Sequence, residues 1–147
     1  CEIQGIASER GTEILLPVDS VAARELTAEA VTQLIDARNI TRGWIGLDIG
    51  PKTVELFRER IASARTIVWT GPMGAFEFAP FADGTRAIGE AIAASDAYSV
   101  IGGGETGEAA VQLGVDTGVS FISTGGGACL ALLRGKPLPA LDVLLAT

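Results

Sequence analysis

The sequence contains no histidine. That absence removes the usual His-ligated metal sites, the serine–histidine hydrolases and histidine general bases in one step. Cysteine is nearly as scarce: Cys1 and Cys129 make neither a disulfide framework nor a metal pair. Lysine occurs only as Lys52 and Lys136, and the arginines form no basic run. A formal net charge of −7 and a pI of about 4.5 argue against nucleic acid as a partner. No apolar run approaches the roughly 18 residues that span a bilayer. The opening "CEIQGIASERGTEILLP" lacks the basic-then-apolar order of a signal peptide. No membrane partner is expected, and the expected location is the cytoplasm. Any chemistry must run on backbone amides, carboxylates and hydroxyls, with or without a bound metal ion.

What remains is the composition of a folded domain, with 48% hydrophobic and 20% charged residues. The 147 residues suffice for one domain with a buried core. The first residue is Cys, and "EIQGIASERG" reads as the tail of a helix already under way, so a fragment is expected.

Short apolar runs alternate with helical patterns. Strands are expected at 13–18 ("EILLPV"), 44–49 ("WIGLDI"), 66–69 ("TIVW"), 98–101 ("YSVI") and 119–123 ("VSFIS"). A helix opening at Pro51 puts Val54, Phe57, Ile61 and Ala64 on one face. Ala87, Ile88, Ala91 and Ile92 form a second apolar stripe, which Ala94 extends. Helices at 105–113 and 128–134 end at Gly114 and Gly135, read as C-caps. The stretch 25–42 reads equally as helix or as extended chain. The alternation implies an α/β fold, a parallel sheet with helices on both faces.

The position of the glycines is informative. "LDIGP", "WTGPMGAFE", "IGGGETG" and "STGGGA" each follow directly on an expected strand. In one open parallel sheet they would all leave along the carboxyl edge, where ligands bind. Two of them run straight into helices, whose first turns offer free N–H groups and a positive dipole end to an anion. A single triplet is no more than a tight turn half the time. Two triplets with two Gly-Pro turns favour anion binding, either a polyphosphate or a phosphate passed between two sites. Glu105 is read equally as an ordinary helix-first-turn acid or a metal ligand. Lys52 reads as a solvated first-turn residue, Trp69 as core and Cys129 as a small buried hydrophobe.

Gly102, Gly104 and Gly107 also satisfy G-x-G-x-x-G, the dinucleotide fingerprint. That reading needs an acid at the end of the next strand, where Ser123, Thr124 and Gly125 stand instead. No G-K-[ST] exists for a Walker A loop.

Taken together, "ILLPVD", "GWIGLDIGPKT", "GPMGAFEFAPFADGT", "IGGGET" and "ISTGGGACLALLRGKPLP" resemble the phosphoglycerate kinase family in order and spacing. The resemblance covers nearly the whole chain and corresponds to the later part of that family's nucleotide-binding domain. It implies a Rossmann-like, doubly wound but incomplete domain. It also implies phosphoryl transfer between 1,3-bisphosphoglycerate and Mg-ADP, giving 3-phosphoglycerate and ATP. By resemblance, Gly46 lines the adenosine pocket and Glu77 bonds the ribose hydroxyls. Gly103, Gly104, Glu105 and Thr106 meet the nucleotide phosphates, with Glu105 addressing the Mg2+ ion. Gly125, Gly126 and Gly127 present amides to the phosphoryl group in flight, beside Thr70.

Two positions depart from the family pattern. Thr70 stands in "WTGP" where the family usually has "WNGP", and Glu105 in "GGGE" where it usually has "GGGD". Thr70 lacks the reach and amide donor of asparagine, and Glu105 adds a methylene to a ligand of a metal with strict geometry. The resemblance places the 3-phosphoglycerate site in an N-terminal domain that this chain lacks, along with the family's "GGAKV" stretch. The fragment alone is therefore expected to be inactive, although full-length family members are usually monomeric enzymes. The alternative is a non-catalytic nucleotide-binding or structural module that retains the scaffold.

Overall fold

A computed structural model of the chain describes residues 2–145, so Cys1 lies outside the described residues. The expected helical segment near the start is α1 (Glu2–Glu9), none of whose residues is buried. Two three-stranded sheets follow. The first joins β1 (Asp19–Ala23), β2 (Gln33–Asp36) and β3 (Ile45–Ile49) in the order β2-β1-β3, with both pairings antiparallel. The second joins β4 (Thr66–Trp69), β5 (Tyr98–Gly102) and β6 (Phe121–Ser123) in chain order, all parallel.

The first expected strand is displaced. Residues 13–17 form no strand, and pairing begins at Asp19. Pro17 has no N–H to give a ladder, and the Val18 N–H goes to the Thr53 hydroxyl at 3.0 Å. The apolar run "EILLPV" marks chain that is only partly covered: Ile14, Leu16 and Val18 are all exposed. The ambiguous stretch 25–42 resolves as extended chain, with turns and the short strand β2. Because no helix lies between β1 and β3, the crossover that a parallel pair requires is missing, and the two strands pair antiparallel. The turn "LDIGP" therefore leaves a different sheet from the other three glycine turns. A single carboxyl edge for all four is corrected to an edge shared by three.

The helices follow the sequence pattern closely. α2 (Pro51–Ser63) has Pro51 in its first turn, and α3 (Asp83–Ala93) lies between β4 and β5. α4 (Gly104–Gln112) and α5 (Gly126–Leu133) spring directly from the ends of β5 and β6, and α6 (Pro139–Leu145) closes the described chain. Gly114 donates to the Val111 carbonyl and Val115 to that of Ala110, a Schellman end; Gly135 and Lys136 repeat it on Leu132 and Ala131. Both expected C-caps are present.

Side chains alternate across the parallel sheet. Ile67, Trp69, Ile101 and Ile122 face a core completed by Ile88 and Ile92 of α3, Ala110 of α4 and the Val54–Phe57–Ile61 stripe of α2. Trp69 is buried there, as expected, with its indole N–H on the Gly71 carbonyl at 2.9 Å. Ala94 is exposed, so the buried stripe of α3 runs instead through Gly84, Thr85, Ile88, Gly89 and Ile92. α5 meets the opposite face at its carboxyl end: Cys129 Sγ lies 3.4 Å from where a Cβ on Gly102 would be. On that face Val68 and Phe121 are exposed. No helix among the described residues is long and apolar enough to cross a membrane.

Candidate functional site

Three turns meet at the carboxyl edge of the parallel sheet. The β5–α4 and β6–α5 turns are tied by the Gly103 N–H on the Ser123 carbonyl at 3.0 Å. Gly103 has φ of 113°, a conformation that favours glycine, and a Cβ on Gly126 would lie 3.1 Å from Gly103 Cα. The turn after β4 joins them through the Gly71 N–H, which donates to the Thr106 hydroxyl at 2.7 Å. Thr70 sits beside this junction, its Cβ 3.9 Å from the position of a Cβ on Gly102.

The first turns of α4 and α5 are the chemically available groups. Gly103 and Gly125 are their N-caps. The first intrahelical donors are the N–H groups of Gly107, to the Gly103 carbonyl, and of Cys129, to the Gly125 carbonyl. This leaves the amides of Gly104, Glu105 and Thr106 on one helix, and of Gly127 and Ala128 on the other, without an intrahelical acceptor. Thr106 is buried, and its hydroxyl oxygen accepts the Gly71 N–H. Glu105 is exposed in the first turn of α4. A cavity of about 430 Å³ opens beside this edge, lined by Gly103, Gly104, Gly107, Val111, Ile122 and Thr124 among others.

Gly104 and Gly127 have no internal need to be glycine. A Cβ on either would meet no atom within 4 Å, and neither has a positive φ. Glycine costs about 1 kcal/mol against alanine in a helix interior. What these two positions leave open is approach to the amides from outside.

Gly46 and Glu77 belong to a second region, on β3 and the loop after β4. Gly46 packs on β1: its Cβ would be 2.8 Å from Ser20 Oγ. It lines a cavity of about 290 Å³ with Ser20, Ile40, Leu47, Asp48 and Met73. The Ala75 N–H donates to the Leu47 carbonyl at 2.9 Å, which binds the Glu77 loop to β3 beside Gly46. Phe76 is buried against Ala109 of α4, which ties the same loop to the glycine edge. Glu77 itself is exposed.

Two buried carboxylates brace these strands. Asp19 accepts the N–H groups of Lys52 at 3.0 Å and Thr53 at 2.8 Å, capping α2. Burial pushes its carboxyl up, but the Thr53 hydroxyl and the two amides outweigh burial and hold it below the ordinary range. Lys52 thus contributes a backbone amide to this cap. Asp48 accepts the Ile49 N–H at 2.8 Å and the Gly84 N–H at 2.7 Å. Burial outweighs those bonds, and the nearby Asp83 adds to it, raising Asp48 to about 6. Sequence reasoning missed Asp48, although an acid inside the apolar run "IGLDI" is a local signal of a buried polar partner.

The sequence model of "Phosphoglycerate kinase" matches residues 2–136. The chain belongs to the phosphoglycerate kinase family. A phosphoglycerate kinase of Desulforapulum autotrophicum is 48% identical over 138 residues, covering 94% of this chain and 35% of that protein. That of Thermosipho africanus is 50% identical over 139 residues, covering 92% and 35% respectively. The structure of phosphoglycerate kinase from Coxiella burnetii superposes with a TM-score of 0.90 at 39% identity, over 97% of this chain and 37% of that one. The chain thus spans about 35% of the length of the curated phosphoglycerate kinases it matches. The family match bears out the resemblance read from the motifs, and the α/β architecture with its parallel sheet is shared with the solved phosphoglycerate kinases.

Proposed function

We propose that this chain carries the nucleotide side of a phosphoglycerate kinase, which transfers a phosphoryl group between 1,3-bisphosphoglycerate and Mg-ADP to give 3-phosphoglycerate and ATP. The observation that carries the reading is the pair Gly104 and Gly127. Both are open helix-first-turn glycines without an internal reason, on turns that touch at Gly103 and Gly126. Amides aimed at one edge suit phosphate, and bare glycine lets phosphate oxygens reach them. Phosphoryl transfer needs positioning and charge neutralisation rather than a strong base, so a chain without histidine can serve it.

In this reading the adenosine lies toward Gly46, the ribose hydroxyls bond Glu77, and Gly103, Gly104, Glu105 and Thr106 hold the nucleotide phosphates. The amides around Gly125, Gly126 and Gly127 receive the phosphoryl group in flight, with Thr70 beside them. Magnesium is held by one or two carboxylates together with substrate phosphates, and Glu105, exposed in the first turn of α4, would be the carboxylate for it. When bound, the ion would neutralise phosphate charge. The −7 charge of the chain favours such neutralisation when a polyanion binds.

A second reading, a nucleotide-binding or structural module without turnover, is favoured by Thr70 and Glu105, which depart from the family's asparagine and aspartate. A coupled assay tests catalysis directly. These 147 residues alone are expected to form no ATP from 1,3-bisphosphoglycerate and Mg-ADP. Equilibrium titration with ADP tests binding. Saturable binding strengthened by magnesium supports the kinase reading; failure of a folded chain to bind ADP contradicts nucleotide binding by these residues and leaves only the structural module.

A further inference from the structure

We propose that Asp48 and Thr85 are positioning residues for nucleotide binding, clasping the loop that carries Glu77 against the strand that carries Gly46. This rests on the nucleotide reading of that region and extends it to two residues to which that reading gives no role. The clasp is a closed ring of contacts. The Asp48 carboxylate accepts the Gly84 N–H at the start of α3. Thr85, the next residue, accepts the Met73 and Gly74 N–H groups on its hydroxyl at 3.0 and 3.2 Å. The chain then runs to Ala75, whose N–H returns to the carbonyl of Leu47, the neighbour of Asp48.

The surroundings are shaped to this carboxylate. A Cβ on Gly74 or Gly84 would lie within 2.4 Å of Asp48 Oδ1, so two glycines give way to it. Asp48 is 5% exposed and Thr85 fully buried. Burying an acid is unfavourable, and here it does not serve a helix alone, because the ring closes on the loop two residues before Glu77. Thr85 is fully buried, and Asp48, which borders the cavity beside Gly46, has its oxygens bonded to the Ile49 and Gly84 amides. Each acts through the register of residues 73–77 on β3, which sets where Glu77 stands relative to Gly46.

The test separates the adenosine end of the ligand from its phosphate end. ADP and inorganic pyrophosphate are titrated, with magnesium, into the wild-type chain, Asp48→Asn and Thr85→Val, each checked for folding by circular dichroism. Thr85→Val preserves shape and keeps the test available if Asp48→Asn does not fold. The expected result is a loss of ADP affinity of about tenfold in either variant, with pyrophosphate affinity unchanged. Hydrogen exchange should speed at Ala75 and Gly84 without ligand, and Thr85→Ser should recover ADP affinity. Equal loss for both ligands would reduce the clasp to a general structural role and overturn the proposal. Unchanged ADP affinity in folded variants would also overturn it while leaving the nucleotide reading intact. If the wild-type chain binds pyrophosphate but not ADP, or neither, the nucleotide reading fails and the positioning role with it.

Discussion

Gly103 and Gly126 pack backbone against backbone: a Cβ on Gly126 would stand 3.1 Å from Gly103 Cα. The contact brings the first turns of α4 and α5, which leave different strands, side by side at one edge. It also separates glycines needed for packing from glycines left open to a ligand.

Gly126→Ala should destabilise the chain by about 1–3 kcal/mol, because the added methyl meets backbone that cannot rotate away. Gly127→Ala, one residue on, should be neutral or slightly stabilising, because the space is open and alanine favours helix. Thermal denaturation of the two variants side by side checks this contrast.

Thr106→Val removes the acceptor of the Gly71 N–H, which the buried threonine supplies at 2.7 Å. A buried donor left unmatched costs about 1–3 kcal/mol. Thr106→Ser keeps the hydroxyl and should retain most of the stability. Denaturant midpoints of the pair, at unchanged slope, measure the difference.

Asp48 imposes a specific pH dependence. Its carboxyl titrates at about 6 in the folded chain against 3.8 for the ordinary group. Between those values the folded state holds a proton that the unfolded state has released. The stabilisation is therefore complete below the ordinary value and is lost as pH rises through about 6. Relative to Asp48→Asn, the wild-type melting temperature should fall from about pH 4 to about pH 7 and then level. Asp19 acts with the opposite sign: its lowered carboxyl contributes stability that disappears as pH falls below the ordinary range.

Glu105→Asp and Thr70→Asn restore the side chains that the family pattern leads one to expect. Glu105→Asp should strengthen the magnesium dependence of ADP binding several-fold. Thr70→Asn should leave ADP affinity in place, since Thr70 is assigned to the phosphoryl group in flight. Titrations with and without magnesium distinguish the two effects.

Much of this was legible in the sequence because its signals are local. Periodicity located α2 through Val54, Phe57 and Ile61, Gly114 and Gly135 stopped their helices, and the glycine turns marked the ends of β4, β5 and β6. Pairing was not legible, because the direction of β3 depends on what separates it from β1, and nothing local to "WIGLDI" records that. The run "EILLPV" misled because apolar side chains mark a tendency to burial, whereas a ladder also needs free N–H groups and a partner. Asp48 escaped notice because its partners, Gly84 and the 73–75 loop by way of Thr85, are distant in sequence. Which glycines are packed and which lie open depends on backbone segments that meet only in the fold, as Gly103 and Gly126 do.

The most direct measurement is calorimetric titration of ADP with magnesium into the wild-type chain and Gly104→Val, with melting curves of both. A Cβ at Gly104 meets nothing inside the protein, so the variant should fold. The account predicts saturable binding by the wild type and none by the variant. Equal binding by both, or no binding by a folded wild type, would contradict the claim that the glycine edge holds the nucleotide.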